Sequence, residues 1–302
     1  MNKRLLLVST AILLIDYVGI CQQSSSITSN TLDFVQNREI FLNSAMNNPT
    51  QLTDSNKIYL DLIVHDQWSG PAESNNGLFV KVENGILPHD MSSGLVIDFK
   101  KHGLFKHRSI IGSIKKGLSI GSNSGLDFGL NFGLWQSRMD VSDIILQQPD
   151  PLIDENKEWT NSLVLDFGVS FNFKSQSFGL SYKNIINSAF EIGSYDYILR
   201  LNGLIVNYQG FYSLSDSFTL SPELLGCFTS ESNNAVIACR ISFKRVITCG
   251  LLYNTNDSFG FILSGIIIKR VKIGYYFDIN NEKVYNDQTV GSHGLNAGFI
   301  FN

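Results

Sequence analysis

Alternate residues of Ser162 to Lys174, "SLVLDFGVSFNFK", fall into two sets. One face carries Leu163, Leu165, Phe167, Val169, Phe171 and Phe173. The other carries Ser162, Val164, Asp166, Gly168, Ser170, Asn172 and Lys174. A repeat of two belongs to a β-strand, because successive side chains leave opposite faces of the pleat. The pattern recurs. "GLDFGLNFGLW" sets Leu126, Phe128, Leu130, Phe132 and Leu134 against Asp127, Gly129, Asn131 and Gly133. "SFGLSYK", "VKIGYYFDIN" and the closing "GLNAGFIFN" alternate in the same way, the last with Leu295, Ala297, Phe299 and Phe301 on its apolar side. Turn clusters such as "GSNSG", "SLSDS", "SESNN" and "NTNDS" separate the runs.

Two architectures share this period. A soluble sandwich turns its apolar face to a core and its polar face to bulk water, which favours many Lys and Glu. Here charged residues are only 17% of the chain, against roughly 25% in ordinary soluble domains. The second face is rich in Gly, Ser, Asn and Asp, small groups suited to a crowded lumen. Aromatic residues reach 12% and gather on the apolar face, as in a lipid belt with interfacial girdles. After Ile15 no stretch approaches the roughly 20 consecutive apolar residues of a membrane helix. A membrane reading therefore requires a closed barrel, since hydrocarbon has no water for unpaired backbone groups. From Ile58 onward the candidate strands number about fourteen, each near the ~9–11 residues of a tilted membrane-crossing strand. The expectation is an all-β transmembrane antiparallel barrel. A soluble secreted sandwich is its architectural rival.

Three regions follow. Lys3 and Arg4 precede the apolar run Leu5 to Ile15, and "GICQQ" offers small residues around a cut after Cys21. Residues 1–21 are read as a secretory signal peptide, with acylation of Cys21 as the competing reading. Residues 22–56 lack alternation and form an N-terminal periplasmic or plug segment. Residues 57–302 form the barrel. Cys227, Cys239 and Cys249 have no metal-site spacing. They read as small apolar barrel residues, with a Cys227–Cys239 disulfide as the open alternative. "ILRLNGLIVNYQGFY" changes phase near Ile205 and Val206, which reads as a bulge. "RSIIGSIKKGLSI" alternates only weakly. The longest connection is Ser137 to Trp159, and long barrel loops are usually extracellular.

Chemistry is sparse. The five His are scattered, no glycine-rich loop sits in a strand-loop-helix setting, and no Ser/His/acid set can be assembled at one rim. We expect no enzyme, cofactor or metal. A net charge of −4 with no basic cluster gives no ground for nucleic acid. Inward Asp166, Lys183, Arg240, Lys244, Lys272 and Asp278 are expected to form ion pairs inside the lumen.

Several stretches, in order, resemble the PorP/SprF family of outer-membrane proteins linked to type IX secretion and gliding in Bacteroidota. "LNSAMNNP" is similar to its Phe-Asn-Pro-x-x-x-Asn-Pro segment through Asn43, Asn48 and Pro49, with Ser44 in place of a proline. "HDQWSG" resembles Arg-x-Gln-Trp-x-Gly through Gln67, Trp68 and Gly70, with His65 where Arg is usual. "DPLI", with Asp150 and Pro151, falls in the long loop where the family has Asp-Pro. "FGLSYKNI", "LSPELL", "IGYYFD" and "GSHGLNAGFIF" resemble its later strands, with Gly294 replacing an acidic residue.

The resemblance implies a non-enzymatic barrel integral to the outer membrane. Its partners would be outer-membrane lipid and either a secreted surface adhesin or periplasmic components of the secretion and gliding machinery. Asn43, Asn48, Pro49, Gln67, Trp68, Asp150 and Pro151 become the candidate partner contacts. The alternative function is an outer-membrane channel for a small solute.

Overall fold

The computed structural model describes residues 47–53, 56–67, 75–102, 105–140, 159–186, 189–192, 195–198, 202–230, 233–255, 258–268, 270–280 and 291–301. The barrel strands are β1 (Ile58–Gln67), β2 (Asn75–Leu87), β3 (Met91–His102), β4 (Phe105–Gly121), β5 (Ser124–Met139), β6 (Thr160–Phe173) and β7 (Gln176–Lys183). They continue as β10 (Gly203–Gly210), β12 (Phe218–Thr229), β13 (Asn233–Phe243), β14 (Ile247–Asn254), β15 (Ser258–Ile267), β16 (Val271–Asn280) and β17 (Ser292–Phe301). A separate hairpin, β8 (Ala189–Ile192) with β9 (Tyr195–Ile198), stands outside this sheet, and β11 (Tyr212–Ser213) pairs only with β12. No described helix is long and apolar enough to cross a membrane.

Every neighbouring pair is antiparallel, and two pairings close the ring. β1 meets β17, with Leu62 opposite Ala297, and β10 meets β12, with Ile205 opposite Cys227. The result is a closed barrel of 14 antiparallel strands. Closure removes the sheet edges, so every strand has a hydrogen-bonding neighbour on both sides.

One face of each strand points away from the axis. On β6, Leu163, Phe167, Phe171 and Phe173 are 42–56% exposed, while Ser162, Val164, Asp166 and Ser170 are buried. Leu130, Phe132 and Leu134 on β5 and Phe261 and Leu263 on β15 repeat the arrangement. The exposed apolar side chains continue around the ring. Soluble monomers rarely expose a contiguous apolar patch beyond a few hundred Å². Hydrocarbon is the solvent that such a surface requires.

The two ends differ. Both chain ends of the barrel lie at one rim, together with short turns such as His89–Asp90 and Lys244–Arg245. The backbone of these four residues lies at φ 62°, 55°, 48° and 57°, a left-handed pair in each tight turn, whose twist matches that of the flanking strands. The connections 140–159, 184–202 and 281–291 leave the opposite rim. Short turns are periplasmic and long loops extracellular in barrels of this type.

The phase change read near Ile205 is not a bulge. β10 stays in unbroken register with both β7 and β12. Ile205 simply points inward, buried, between outward Leu204 and Val206. Register shifts occur instead between Asn84 and Leu87 and between Ser119 and Gly121, both beside the short-turn rim.

Candidate functional site

The lumen is not an open pore on the side of β3 to β10, because the chain itself enters it. Asn48 is fully buried and caps a single 3-10 turn, Pro49–Gln51. Its Oδ1 accepts from the Thr50 amide at 3.0 Å and from the Thr50 hydroxyl at 2.8 Å. Asparagine before proline suits this position. The side chain satisfies an orphan amide, and proline at the first turn position has no N–H to satisfy.

The remaining bonds tie the segment to the wall. Asn48 Nδ2 donates to Asn207 Oδ1 on β10 at 2.9 Å. The Thr50 hydroxyl bonds that of Ser170 on β6. Ser181 on β7 donates to the Asn47 carbonyl at 2.8 Å, Lys115 Nζ on β4 to the Leu52 carbonyl at 2.6 Å, and Ser92 on β3 to the Thr53 carbonyl at 2.7 Å. A backbone buried away from water needs such partners at nearly every polar group.

Glycines make the room. A Cβ at Gly129 would lie 2.7 Å from Pro49 C and Thr50 N, and one at Gly179 would lie 2.6 Å from Asn48 Nδ2. At Gly168 it would collide with Asn48 Oδ1. The small residues alternating along β5, β6 and β7 therefore form a groove fitted to the backbone of 47–53.

Two further layers line the lumen. The charged one joins Lys81 to Glu83 at 3.1 Å and to Asp61 at 3.5 Å, Lys272 to Asp61 at 4.0 Å, and Arg240 to Glu223. Asp166 and Lys183 lie 4.0 Å apart, and Asp166 Oδ1 accepts from the Asn184 amide at 2.8 Å. Of the charges expected here, Asp278 is buried but belongs to none of these pairs, and Lys244 departs from the lumen. It sits in the β13–β14 turn with Nζ 5.4 Å from the Phe243 ring centroid, because Phe243 is the last β13 residue and the wall ends there. The second layer is apolar and buried: Ile205, Leu225, Cys227, Val236, Ala238, Leu252, Ile262 and Tyr276. On β12, β13 and β16 it lies nearer the long-loop rim than Glu223, Arg240 and Lys272. Alternation alone did not reveal it, since "LIV", "ELLGC" and "NAVIAC" are apolar on both faces.

Cys227 is buried in this layer, whereas Cys239 and Cys249 are exposed on the outer face, and all three are free thiols. Cys227 pairs in register with Asn234, not Cys239. A disulfide between them would have to cross the sheet. Among the described residues no group of His, Cys, Asp or Glu could hold a metal ion.

The candidate partner contacts are scattered. Asn48 and Pro49 lie inside the barrel against Gly168, Gly179 and Asn207. Gln67 ends β1 at the long-loop rim, opposite Asn75 of β2. Asn43, Trp68, Asp150 and Pro151 lie outside the described residues.

An antiparallel barrel with an apolar outer belt and a chain segment bonded across its lumen is an outer-membrane-type protein. Residues 33–299 match the family model described as type IX secretion system membrane protein PorP/SprF, and the chain belongs to that family. None of the curated proteins matches it. Among solved structures it is similar to the Pseudomonas putida toluene transporter TodX at 10% identity, covering 86% of this chain and 94% of that one, with a TM-score of 0.46. A Pseudomonas aeruginosa FadL homologue stands at 10% identity, covering 85% and 92%, TM-score 0.46. Salmonella typhi OmpF stands at 10%, covering 82% and 98%, TM-score 0.37.

Proposed function

We propose that this protein is a non-enzymatic scaffold of type IX secretion and gliding. Its belt anchors it in the outer membrane. Its long-loop rim holds or presents a secreted surface adhesin, and its short-turn rim faces periplasmic machinery. Residues 1–21 direct export and are removed, and residues 22–56 form the plug segment of which 47–53 is the bonded part. The observation that carries this reading is the Asn48–Thr50 network. A lumen that holds its own backbone, hydrogen-bonded to β3, β4, β6, β7 and β10, obstructs the route a solute would take, which favours a scaffold over an open channel.

On this reading Gln67, Trp68, Asp150 and Pro151 contribute to the external contact surface. Asn48 and Pro49 act indirectly, by holding the segment that carries Asn43. Deleting Met139 to Lys157 is the direct test. The barrel is expected to fold and reach the outer membrane while adhesin display is lost. Unchanged display would remove that loop as the partner surface. A steady conductance of the intact protein in planar bilayers would instead favour the channel reading.

A further inference from the structure

The outer wall carries apolar side chains over most of its circumference, with a polar stretch at the long-loop rim that begins with outward His293, Asp66 and Asn76, Asn76 pairing with Lys101. Outward positions there hold four cations: Lys101 on β3, Lys106 and Arg108 on β4, and Arg138 on β5. The register gathers them, since Lys101 pairs with Lys106 and Lys106 with Arg138. Arg108 pairs with Gln136, which pairs in turn with Asn161 on β6. Corresponding positions on the far arc are Phe228, Phe259 and Ile279, all exposed and apolar.

The two guanidinium groups converge on one indole. Arg108 lies 4.1 Å and Arg138 4.9 Å from the Trp159 ring centroid. Arg108 Nε donates to Gln136 Oε1 at 2.6 Å. One carboxylate joins the cluster. Asp140 pairs with Lys106, and with Arg138 at 3.8 Å. Among the described residues Arg108 has no carboxylate within ion-pair distance, and the side chains of Lys106 and Arg138 remain 39% and 32% exposed. One step toward the middle of the membrane, the same strands present Phe99, Ile110, Leu134 and Leu163, 47–56% exposed. The cluster thus sits directly on top of the lipid belt, facing sideways into the membrane rather than up from a loop tip.

A cation cluster at that height lies among lipid headgroups. A planar guanidinium fork matches phosphate oxygens two at a time, and an indole edge suits the interface between acyl chains and water. We propose that Arg108, Arg138, Lys106 and Lys101 form a binding site for the phosphate of a phosphorylated glycolipid of the outer leaflet. Its acyl chains run down Phe99, Ile110, Leu134 and Leu163. The inference needs only the barrel and its orientation, not the scaffold role.

The test is saturable binding to the intact purified protein in detergent, read by native mass spectrometry. The probes are phosphorylated lipid A, the same lipid with its phosphates removed, and inorganic phosphate as competitor. Wild type is expected to retain phosphorylated lipid A. The Arg108→Gln/Arg138→Gln variant should bind it about 10- to 30-fold more weakly, as two headgroup-level cations contribute. Removing the phosphates should cost wild type a similar factor, and millimolar inorganic phosphate should not compete. Heat-dependent gel migration reports that each variant is folded. Should the double variant misfold, Arg108→Lys replaces it, with a several-fold loss expected because charge remains but the fork does not. Equal binding by variant and wild type overturns the proposal. So does equal binding of the dephosphorylated lipid, or displacement by free phosphate. Unchanged lipid binding accompanied by lost adhesin retention would reassign the cluster to a protein contact.

Discussion

The arc from β4 to β7 and the arc from β12 to β16 look alike from outside and differ inside. Their outer faces carry Phe132, Leu134 and Phe167 in one case and Phe261, Leu263 and Ile273 in the other, all exposed. Their inner faces are filled mainly in different ways, although the first arc also has a small apolar cluster of Trp135 and Val164 with Ile111. The first presents Asn131, Asp166, Ser170 and Ser181, with glycines at 129, 168 and 179 against the inserted backbone. The second presents Leu225, Val236, Leu252, Ile262 and Tyr276, packed together. Lipid constrains only the side it touches. The inner side answers to whatever fills it. A backbone filler demands hydrogen-bond partners and room at Cβ; a side-chain filler demands shape and volume.

Substitutions can break this contrast, and removal of the filler has the largest expected effect. Deleting residues 47–53 should turn a bilayer-silent barrel into a conducting one, read as single-channel current. Continued silence would show that the lumen is closed by something other than this segment. The same removal should make Gly129→Ala and Gly168→Ala harmless, although both should destabilise the intact chain.

Next comes the apolar layer. Leu252→Ala should cost about 2–4 kcal/mol through the cavity it leaves, measured as a lower urea midpoint in detergent. On the other arc, Ser170→Ala should cost about 1 kcal/mol. Comparable losses at the two positions would erase the difference in filling.

On the outer face the arcs should behave as one. Phe167→Arg and Phe261→Arg should each cost about 2–4 kcal/mol if near the bilayer midplane, and less toward an interface. A large difference between them would mean that one arc faces protein instead of lipid. A smaller effect than on the lipid face is expected at Asn48→Ala, about 1–2 kcal/mol for a buried cap and its bond to Asn207. It should appear as brief channel openings rather than as unfolding.

Much of the outer half of this description is legible in the sequence. Leu163, Phe167 and Phe171 alternate with Asp166, Gly168 and Ser170 because hydrocarbon and lumen sit on opposite sides of one pleat, and period two records that. Strand number follows from the same repeat. The inserted turn at residues 47–53 is half legible. "NNPT" announces a capped turn, but its docking depends on Asn207 and Ser181, more than 130 residues away, and one chain carries no mark of such a pairing. The apolar inner layer is hidden for a related reason. Where both faces are apolar, as around Ile205, alternation vanishes and the phase seems to slip. The rim cations were equally obscure. Lys106, Arg108, Arg138 and Trp159 are scattered along the chain and meet only through strand register.

The central claim is that hydrocarbon bathes the Leu163–Phe173 side of these strands while the lumen holds the other. Single nitroxide labels at each position from Ser162 to Lys174, in a cysteine-free protein reconstituted in lipid, test it most directly through collision with oxygen and with a polar nickel chelate. Labels at 163, 165, 167, 169, 171 and 173 should be oxygen-accessible and shielded from nickel, and the intervening positions poorly accessible to both. Nickel access at 163, 167 and 171, or a profile without period two, would contradict it.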